Sequence, residues 1–410
     1  MMDHLLRTPK LNAEDRRAAW YPYYAGYSEG FARWALQSME AKPSSRVYDP
    51  WNGAGTTTFA AAAMGAMATG LDLNPSMVII SKARSAQRLG ALELLERAES
   101  LQSFPRGRPP SLTADDPLEG FFNGNTVQAI RRVERALIDG HVPCDFGGDM
   151  SDLSEVHALI YTLLFRVCRE AAKQKPSNPT WRQKPKVQSD LSADALLDAT
   201  RRHASLMKSY IVNRADVESV ATRRGDARVD YLATDPFDVL LTSPPYLTRI
   251  DYAIKMGLEL AVLGLRPDAL RHQMLGTPLT SHRQDEEAVP VETAEILRQI
   301  REHKSKASAT YYDRFFRSYF VDYDKSLSVI SSNAALGAIA GFVVQNSYYK
   351  QHAIDLAGIT SKMMSRHGWE EVRRENFAVF HSLANRNVAS RSYLKAKKYE
   401  ESFIIFRRSM

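Results

Sequence analysis

Few features limit how a chain can fold more than an apolar run cut off by two prolines, and Asp238-Val239-Leu240-Leu241 running into Thr242-Ser243-Pro244-Pro245-Tyr246 is such a feature. The aliphatic run reads as a buried strand. Pro244 has no amide hydrogen for a ladder, and each proline drives its predecessor towards extended geometry. The strand therefore ends in a stiff loop that presents Ser243, the Pro244 carbonyl, Pro245 and the Tyr246 ring. In an open α/β sheet, that end of a strand is where ligands bind. The plainer alternative is a rigid strand-to-helix turn with a packed tyrosine, and the rest of the chain decides between them.

With 410 residues, 44% of them hydrophobic, the chain can bury a large core as one big α/β domain with insertions or as two domains. The formal net charge of +7 mildly favours an anionic partner such as nucleic acid. Cys144 and Cys168 have no metal-like spacing, so no metal site is expected, and buried thiols in a reducing compartment are the default. No uninterrupted apolar stretch is long enough to span a bilayer, and Met1 to Arg7 lacks a signal-peptide core. The expectation is a soluble, cytoplasmic protein with no membrane partner.

Taken from the start, Trp20-Tyr21-Pro22-Tyr23-Tyr24-Ala25-Gly26-Tyr27-Ser28 is the first unusual stretch. It precedes a helix expected over Glu29 to Met39, with Ser28 as N-cap. Its aromatics either cover one edge of the core or form the lid over a flat ligand. Arg46 to Asp49 reads as a short strand that enters Pro50-Trp51-Asn52-Gly53-Ala54-Gly55-Thr56-Thr57-Thr58 and an alanine-rich helix from Phe59 to Met67. Strand, glycine turn and helix open a nucleotide-binding βαβ unit. Gly53 and Gly55 let the backbone approach a ligand, and the helix beginning near Thr56 offers amide hydrogens to an anion.

Met67 to Leu73 forms a second strand, and Asp72 at its tip is placed to accept both hydroxyls of a ribose. An Asp72 that merely caps the next helix is the alternative, but turn and acid together favour a cofactor. Thr58 stands where the third glycine of the dinucleotide fingerprint would be, and no Lys-Ser/Thr follows the second glycine as in a phosphate-binding loop. A ligand with adenosine and no pyrophosphate fits better, and S-adenosylmethionine is such a ligand.

Residues from about Ser100 to Ala215 interrupt the alternation of strands and helices. Helical periodicity covers Phe121 to Gly140, Ser151 to Lys173 and Asp190 to Val212. Between the last two lies a strip with Lys173, Lys175, Arg182, Lys184, Lys186 and Trp181, three prolines and no acid. Such a strip suits a nucleic-acid backbone and a stacked base, or it is a solvated linker. The sheet resumes with Val217 to Thr222, after which Asp226 ends a third strand where it can accept from an adenine amino group. Strand 238–241 and the proline loop follow, then a helix from Tyr252 to Leu263. A second polar insertion spans Arg266 to Ser308, and an aromatic-rich helix spans Tyr311 to Ile330. Leu336 to Val344 is a fifth buried strand and His352 to His367 a helix. Trp369 to Phe380 and Tyr399 to Arg407 can pair as closing antiparallel strands. The fold class is α/β, a mostly parallel sheet with a C-terminal antiparallel hairpin and helical insertions.

On the Tyr-Tyr-Ala-Gly-Tyr-Ser stretch, Asp-Pro-Trp-Asn-Gly-Ala-Gly-Thr-Thr, Asp72, Gly225-Asp226 and Thr-Ser-Pro-Pro-Tyr, the chain resembles the amino-group DNA methyltransferases. These modify N4 of cytosine or N6 of adenine using S-adenosylmethionine. The resemblance implies a Rossmann-like class I methyltransferase fold, a seven-stranded sheet with its last strand inserted antiparallel. It implies double-stranded DNA as partner, a base flipped out of the duplex, and a restriction-modification or other defence-system partner. Carried over, Asp49, Gly53, Gly55 and Thr56 line the methionine end of the cofactor, Asp72 holds the ribose and Asp226 the adenine. Tyr23, Tyr24 and Tyr27 belong to the segment that closes over the methionine moiety. Ser243, Pro244, Pro245 and Tyr246 form the catalytic loop, and serine at its first position favours N4 of cytosine. N6-adenine methylation by the same site, RNA methylation, and a nucleic-acid-binding module without catalysis are the competing readings.

The expected organisation has five parts. Residues 1–99 are the cofactor-binding half, 100–215 a mainly helical insertion, 216–265 the catalytic part, 266–330 a second insertion and 331–410 the C-terminal part of the core. Family members with this motif order carry their large insertion just before the catalytic loop, whereas here it precedes Gly225-Asp226. Both insertions are therefore candidates for target recognition.

Overall fold

In a computed structural model of the chain, residues 9, 20–22, 26–103, 115–138, 145–172, 190–218, 220–231, 233–247, 251–275, 288–305, 307–379 and 398–409 are described. The strands are β1 (Arg46–Asp49), β2 (Met67–Asp72), β3 (Val220–Arg224), β4 (Phe237–Thr242), β5 (Ala334–Gln345), β6 (Ser347–Tyr349), β7 (His352–Ile354), β8 (Trp369–Val379) and β9 (Tyr399–Arg408). Seven of them form one sheet in the order β3-β2-β1-β4-β5-β9-β8. The junctions from β3 through β5 are parallel, while β9 runs antiparallel to both β5 and β8. β9 is thus inserted against the run of the sheet. Four of the parallel strands and the closing hairpin lie where the sequence pattern puts them, while β3 starts three residues later than the expected Val217 to Thr222.

Both faces of the sheet are covered, as a parallel sheet requires, and side-chain alternation sorts the central strands. On one face Tyr48, Leu240, Ala340 and Phe342 pack with α12 (Asp313–Ser332) and α13 (Leu356–Arg366). On the other face Val47, Val239, Leu241 and Val343 meet Phe31 and Leu36 of α1 (Glu29–Ser38) and Ala60 and Ala61 of α2 (Thr56–Ala62). Each fully buried aliphatic side chain contributes roughly 1.5–3 kcal/mol, so these two layers hold the sheet. At the opposite edge from the loops, Arg46 grips Asp238 on the neighbouring strand through Nε at 3.1 Å and Nη2 at 2.9 Å.

The segment between β2 and β3 is helical: α3 (Pro75–Arg84), α4 (Arg88–Glu99), α5 (Gly124–Ile138), α6 (Glu155–Ala171) and α7 (Ala193–Asn213). It is not a separate lobe. Its apolar stripes share one cluster, which also takes in α9 (Gly257–Val262) after the proline loop. A buried knot of polar groups adds to this junction. Glu259 of α9, fully buried, accepts from Tyr21 at 2.6 Å and from Arg169 of α6, and Arg166 donates to the Trp20 carbonyl at 2.6 Å. The N-terminal aromatics are pinned here: Trp20 and Tyr21 are buried in this helical cluster.

Ser28 caps α1 as its sequence position predicts, its hydroxyl accepting from the Phe31 amide at 3.0 Å. Four helix expectations change in detail. The alanine-rich helix expected over 59–67 is α2, which starts earlier and ends at Ala62, and Met67 already belongs to β2. The helix expected over 252–263 breaks at Met256 (φ −98°, ψ 17°), beside Gly257, into α8 (Tyr252–Lys255) and α9. The helix expected from His352 surrenders its first residues to the β6–β7 hairpin, whose turn includes Lys350 at φ +55°. The aromatic helix starts at Asp313 after a π-helical turn, Ser308–Tyr312. The remaining described α-helices are α10 (Pro267–Arg271) and α11 (Ala294–Glu302). Among the described residues, no helix is long and apolar enough to cross a membrane, and no cluster of His, Cys, Asp and Glu could hold a metal ion.

Candidate functional site

The C-terminal ends of β1, β2 and β4, with the turn after β3, open onto one cavity of about 550 Å³. Asp49, Gly53, Thr56, Asp72, Asp226, Ser243, Pro244, Pro245 and Tyr246 all line it, and so does Tyr27. Residues spread over more than two hundred positions of sequence are thus brought to one place by the parallel sheet.

Asp49 ends β1 and is only 3% exposed. Its Oδ1 accepts from the Thr242 hydroxyl at 2.6 Å and the Trp51 amide at 3.1 Å, and its Oδ2 accepts from Thr57 at 2.6 Å. Thr57 in turn is hydrogen-bonded to the Tyr27 hydroxyl. One buried carboxylate therefore ties the glycine turn, α2, the end of β4 and the N-terminal aromatic segment together. Burial outweighs these donors and pushes the Asp49 carboxyl up to about 6.

Asp72, at the tip of β2, accepts from the Asn74 amide at 2.8 Å and the Gly53 amide at 2.9 Å. It caps nothing itself, since Asn74 is the N-cap of α3. Burial again wins over the two amides and raises its carboxyl to about 6. Each oxygen accepts one backbone hydrogen bond, which leaves a lone pair on each for a ligand. Gly53 adopts φ +51°, and a Cβ there would meet nothing closer than 4.0 Å, so its open side faces space. Gly55 differs: it holds φ +75° as the N-cap of α2, and a Cβ would fall 2.3 Å from Ser81 Oγ. It lets α3 approach the turn.

Asp226 lines the cavity with its carboxylate paired to Arg228, which reaches Oδ1 at 2.9 Å and Oδ2 at 2.5 Å. The same guanidinium binds the buried Asp322 of α12 at 3.0 Å and the Gln273 carbonyl at 2.7 Å. Arg228 is absent from the sequence-derived set although it stands two residues from Asp226. Its partner Asp322 lies 94 residues away, and only the fold supplies that contact.

The proline loop is braced at three points. Ser243 Oγ donates to the Val343 carbonyl of β5 at 3.0 Å, and the Tyr319 hydroxyl of α12 donates to the Pro245 carbonyl at 2.8 Å. The Tyr246 hydroxyl donates to Glu401 of β9 at 2.8 Å, and burial with that carboxylate alongside drives its pKa well upward. With its hydrogen given to Val343, the Ser243 oxygen keeps acceptor capacity, and Ser243 lines the cavity.

Further lining residues were not singled out in the sequence: Glu29, Arg84, Tyr210, Tyr252 and Met274 among them. They stand outside the quoted motifs, whereas Trp51, within the glycine-turn motif, also lines the cavity. Tyr23 and Tyr24 lie outside the described residues, as does the whole basic strip of Lys173, Lys175, Trp181, Arg182, Lys184 and Lys186.

No family model matches the chain. A Type II methyltransferase, M.BsoBI of Geobacillus stearothermophilus, is 21% identical over 350 residues, which cover 78% of this chain. The match spans 63% of that relative's length. Among solved structures, TrmN from Thermus thermophilus aligns with a TM-score of 0.32 at 10% identity, over 97% of this chain and 54% of its own. The rRNA methyltransferase aviRa from Streptomyces viridochromogenes aligns with a TM-score of 0.31 at 12% identity, over 97% and 93%. The fold is of the Rossmann-like class I methyltransferase type. The strand order, with its one antiparallel insertion, carries that statement.

The two raised carboxyls make stability depend on pH. Between about pH 4 and 6 the folded protein holds protons on Asp49 and Asp72 that the unfolded chain releases, so lowering the pH through this window adds stability. Denaturant titrations of the ligand-free protein at pH 8 and pH 5 are expected to show that gain. In Asp72→Asn the gain shrinks by about 1 kcal/mol. Equal gains in the two proteins would contradict the raised carboxyl at Asp72.

Proposed function

We propose that the chain is a site-specific DNA methyltransferase that moves a methyl group from S-adenosylmethionine to the exocyclic N4 amine of a cytosine. One observation carries the reading: Asp49, Gly53 and Thr56 around the glycine turn, Asp72, Asp226 and the proline loop line a single cavity, although Gly55 does not. The similarity to a Type II methyltransferase supports it. So does the resemblance of the motifs to amino-group DNA methyltransferases.

The residues present fit the methyl donor. Asp72 keeps a lone pair on each oxygen for two ribose hydroxyls, and Gly53 leaves open space where a side chain would stand. The cavity volume is in the range that encloses a ligand of this size. When bound, S-adenosylmethionine supplies an electrophilic methyl group on a sulfonium. Everything else falls to this chain.

An exocyclic amine is a poor nucleophile because its lone pair is delocalised into the ring. Acceptors around its two hydrogens favour a pyramidal nitrogen whose lone pair can point at the methyl group. Ser243 Oγ, its hydrogen given to Val343, is one such acceptor, and the Pro244 carbonyl is the second. Val343, Tyr319 and Glu401 hold the loop rigid, so the acceptors are preorganised rather than recruited. The base leaves the duplex to reach the cavity, and the Tyr246 ring stacks on it. The basic strip from Lys173 to Lys186 runs along the DNA backbone in this reading.

Ser243→Ala is expected to cut turnover about a hundredfold, and Tyr246→Ala at least as much. Affinity for S-adenosylmethionine, by calorimetry, should change by less than about twofold in either variant. Loss of cofactor binding with the fold intact would contradict the placement of the loop at the acceptor end. For the strip, Lys184→Ala combined with Lys186→Ala should flatten the salt dependence of duplex binding by about two charges. An unchanged slope would make the strip a linker.

A further inference from the structure

The short hairpin of β6 and β7 is fastened to the residue that follows the proline loop, since the Ser347 hydroxyl donates to the Leu247 carbonyl at 2.5 Å. Lys350, in the hairpin turn at φ +55°, sets its ammonium 5.9 Å from the ring centroids of both Tyr349 and Tyr312. Tyr312 closes the π-helical turn ahead of α12, and its neighbour Tyr311 is 49% exposed. Arg314, also exposed, follows in the first turn of α12. His303 packs edge-on against Tyr349 at 5.6 Å, and the exposed Lys304 comes directly after it. Ring contacts thus gather Lys304, Arg314 and Lys350 on one ridge.

The acids closest to this ridge in sequence are engaged elsewhere. Asp313 is buried with Arg301 at 3.4 Å and Arg317 at 3.8 Å, and Glu302 is paired with Arg298 at 2.7 Å. Asp355 caps α13, accepting from the Gly358 amide at 2.9 Å. Lys304 and Arg314 form no ion pair among the described residues. Three cations around an aromatic platform, with those carboxylates committed, suit a ligand that is itself a row of anions. The phosphates of a nucleic-acid strand are such a row, and Tyr311 adds a hydroxyl of the kind that donates to phosphate oxygens.

We propose that Lys304, Arg314 and Lys350 hold the phosphate backbone of duplex DNA next to the nucleotide that enters the cavity. This rests on DNA being the substrate, and it gives that partner a surface distinct from the strip of Lys173 to Lys186. Contacts of this kind fix the register of the duplex without reading its sequence. The Ser347 bond to Leu247 sets the ridge beside the proline loop, so a strand lying on it passes the loop that receives the base. With its head over two rings, the Lys350 side chain has less freedom to lose when a phosphate binds.

The test is the salt dependence of binding to a random-sequence DNA duplex, followed by fluorescence anisotropy. Combining Lys304→Gln, Arg314→Gln and Lys350→Asn should reduce the slope of log affinity against log salt by about three charges. Asparagine is chosen at 350 because it tolerates the left-handed backbone there. Lys304→Gln with Arg314→Gln alone, which leaves the hairpin turn untouched, should reduce the slope by about two. Lys42→Gln removes an exposed charge ahead of β1, at the far end of the sheet, and should leave the slope as it is. An unchanged slope in the double and triple variants, or an equal loss per charge in Lys42→Gln, would overturn the ridge while duplex binding itself stands. A wild-type protein that binds S-adenosylmethionine but no duplex would instead overturn the DNA reading on which the ridge rests, and the ridge with it.

Discussion

The Asp49 carboxylate is the constraint on which the rest depends. A charge 3% exposed at the end of a central strand is unfavourable unless donors surround it. Trp51, Thr57 and Thr242 supply them, and each comes from a different element. Meeting that one demand fixes the path of the glycine turn, the start of α2 and the end of β4. Through Thr57 it also locates Tyr27. The proline loop begins at the residue after Thr242, so this loop is set in place by the same carboxylate that shapes the glycine turn.

From this hub the cavity divides its work among the strand ends. Asp72 offers acceptors, and Ser243 presents an oxygen whose hydrogen is engaged elsewhere. Raised carboxyls at Asp49 and Asp72 record the cost of burying acids at the strand ends. The helices between β2 and β3 are part of this arrangement. Their shared cluster with α3 and α9, and the buried Glu259–Arg169–Tyr21 knot, clamp the N-terminal aromatics onto the cofactor half.

Much of this was legible in the sequence because parallel strands are short, apolar and sharply punctuated. Asp49, Gly53, Asp72 and the Ser243–Tyr246 loop could be placed at strand ends by local pattern alone, and Ser28 marked the start of α1. The illegible parts depend on distance in sequence or on brevity. The three-residue strands β6 and β7 carry no measurable period. Asp226 read as an unencumbered acceptor, but Arg228 claims its carboxylate only because Asp322 and Gln273 bring the guanidinium there. Gly55 looked like a partner of Gly53 in contacting ligand, yet the space it keeps clear is for Ser81.

The central claim is that an exocyclic amine of cytosine is brought to a methyl donor between Asp72 and Ser243. Its most direct test is mass spectrometry of the nucleosides released from duplex DNA incubated with the protein and S-adenosylmethionine. The account predicts 4-methylcytosine in the digest. A digest containing only 6-methyladenine would contradict the assignment made on Ser243, and methyl transfer to RNA but to no duplex DNA would contradict the assignment of the substrate.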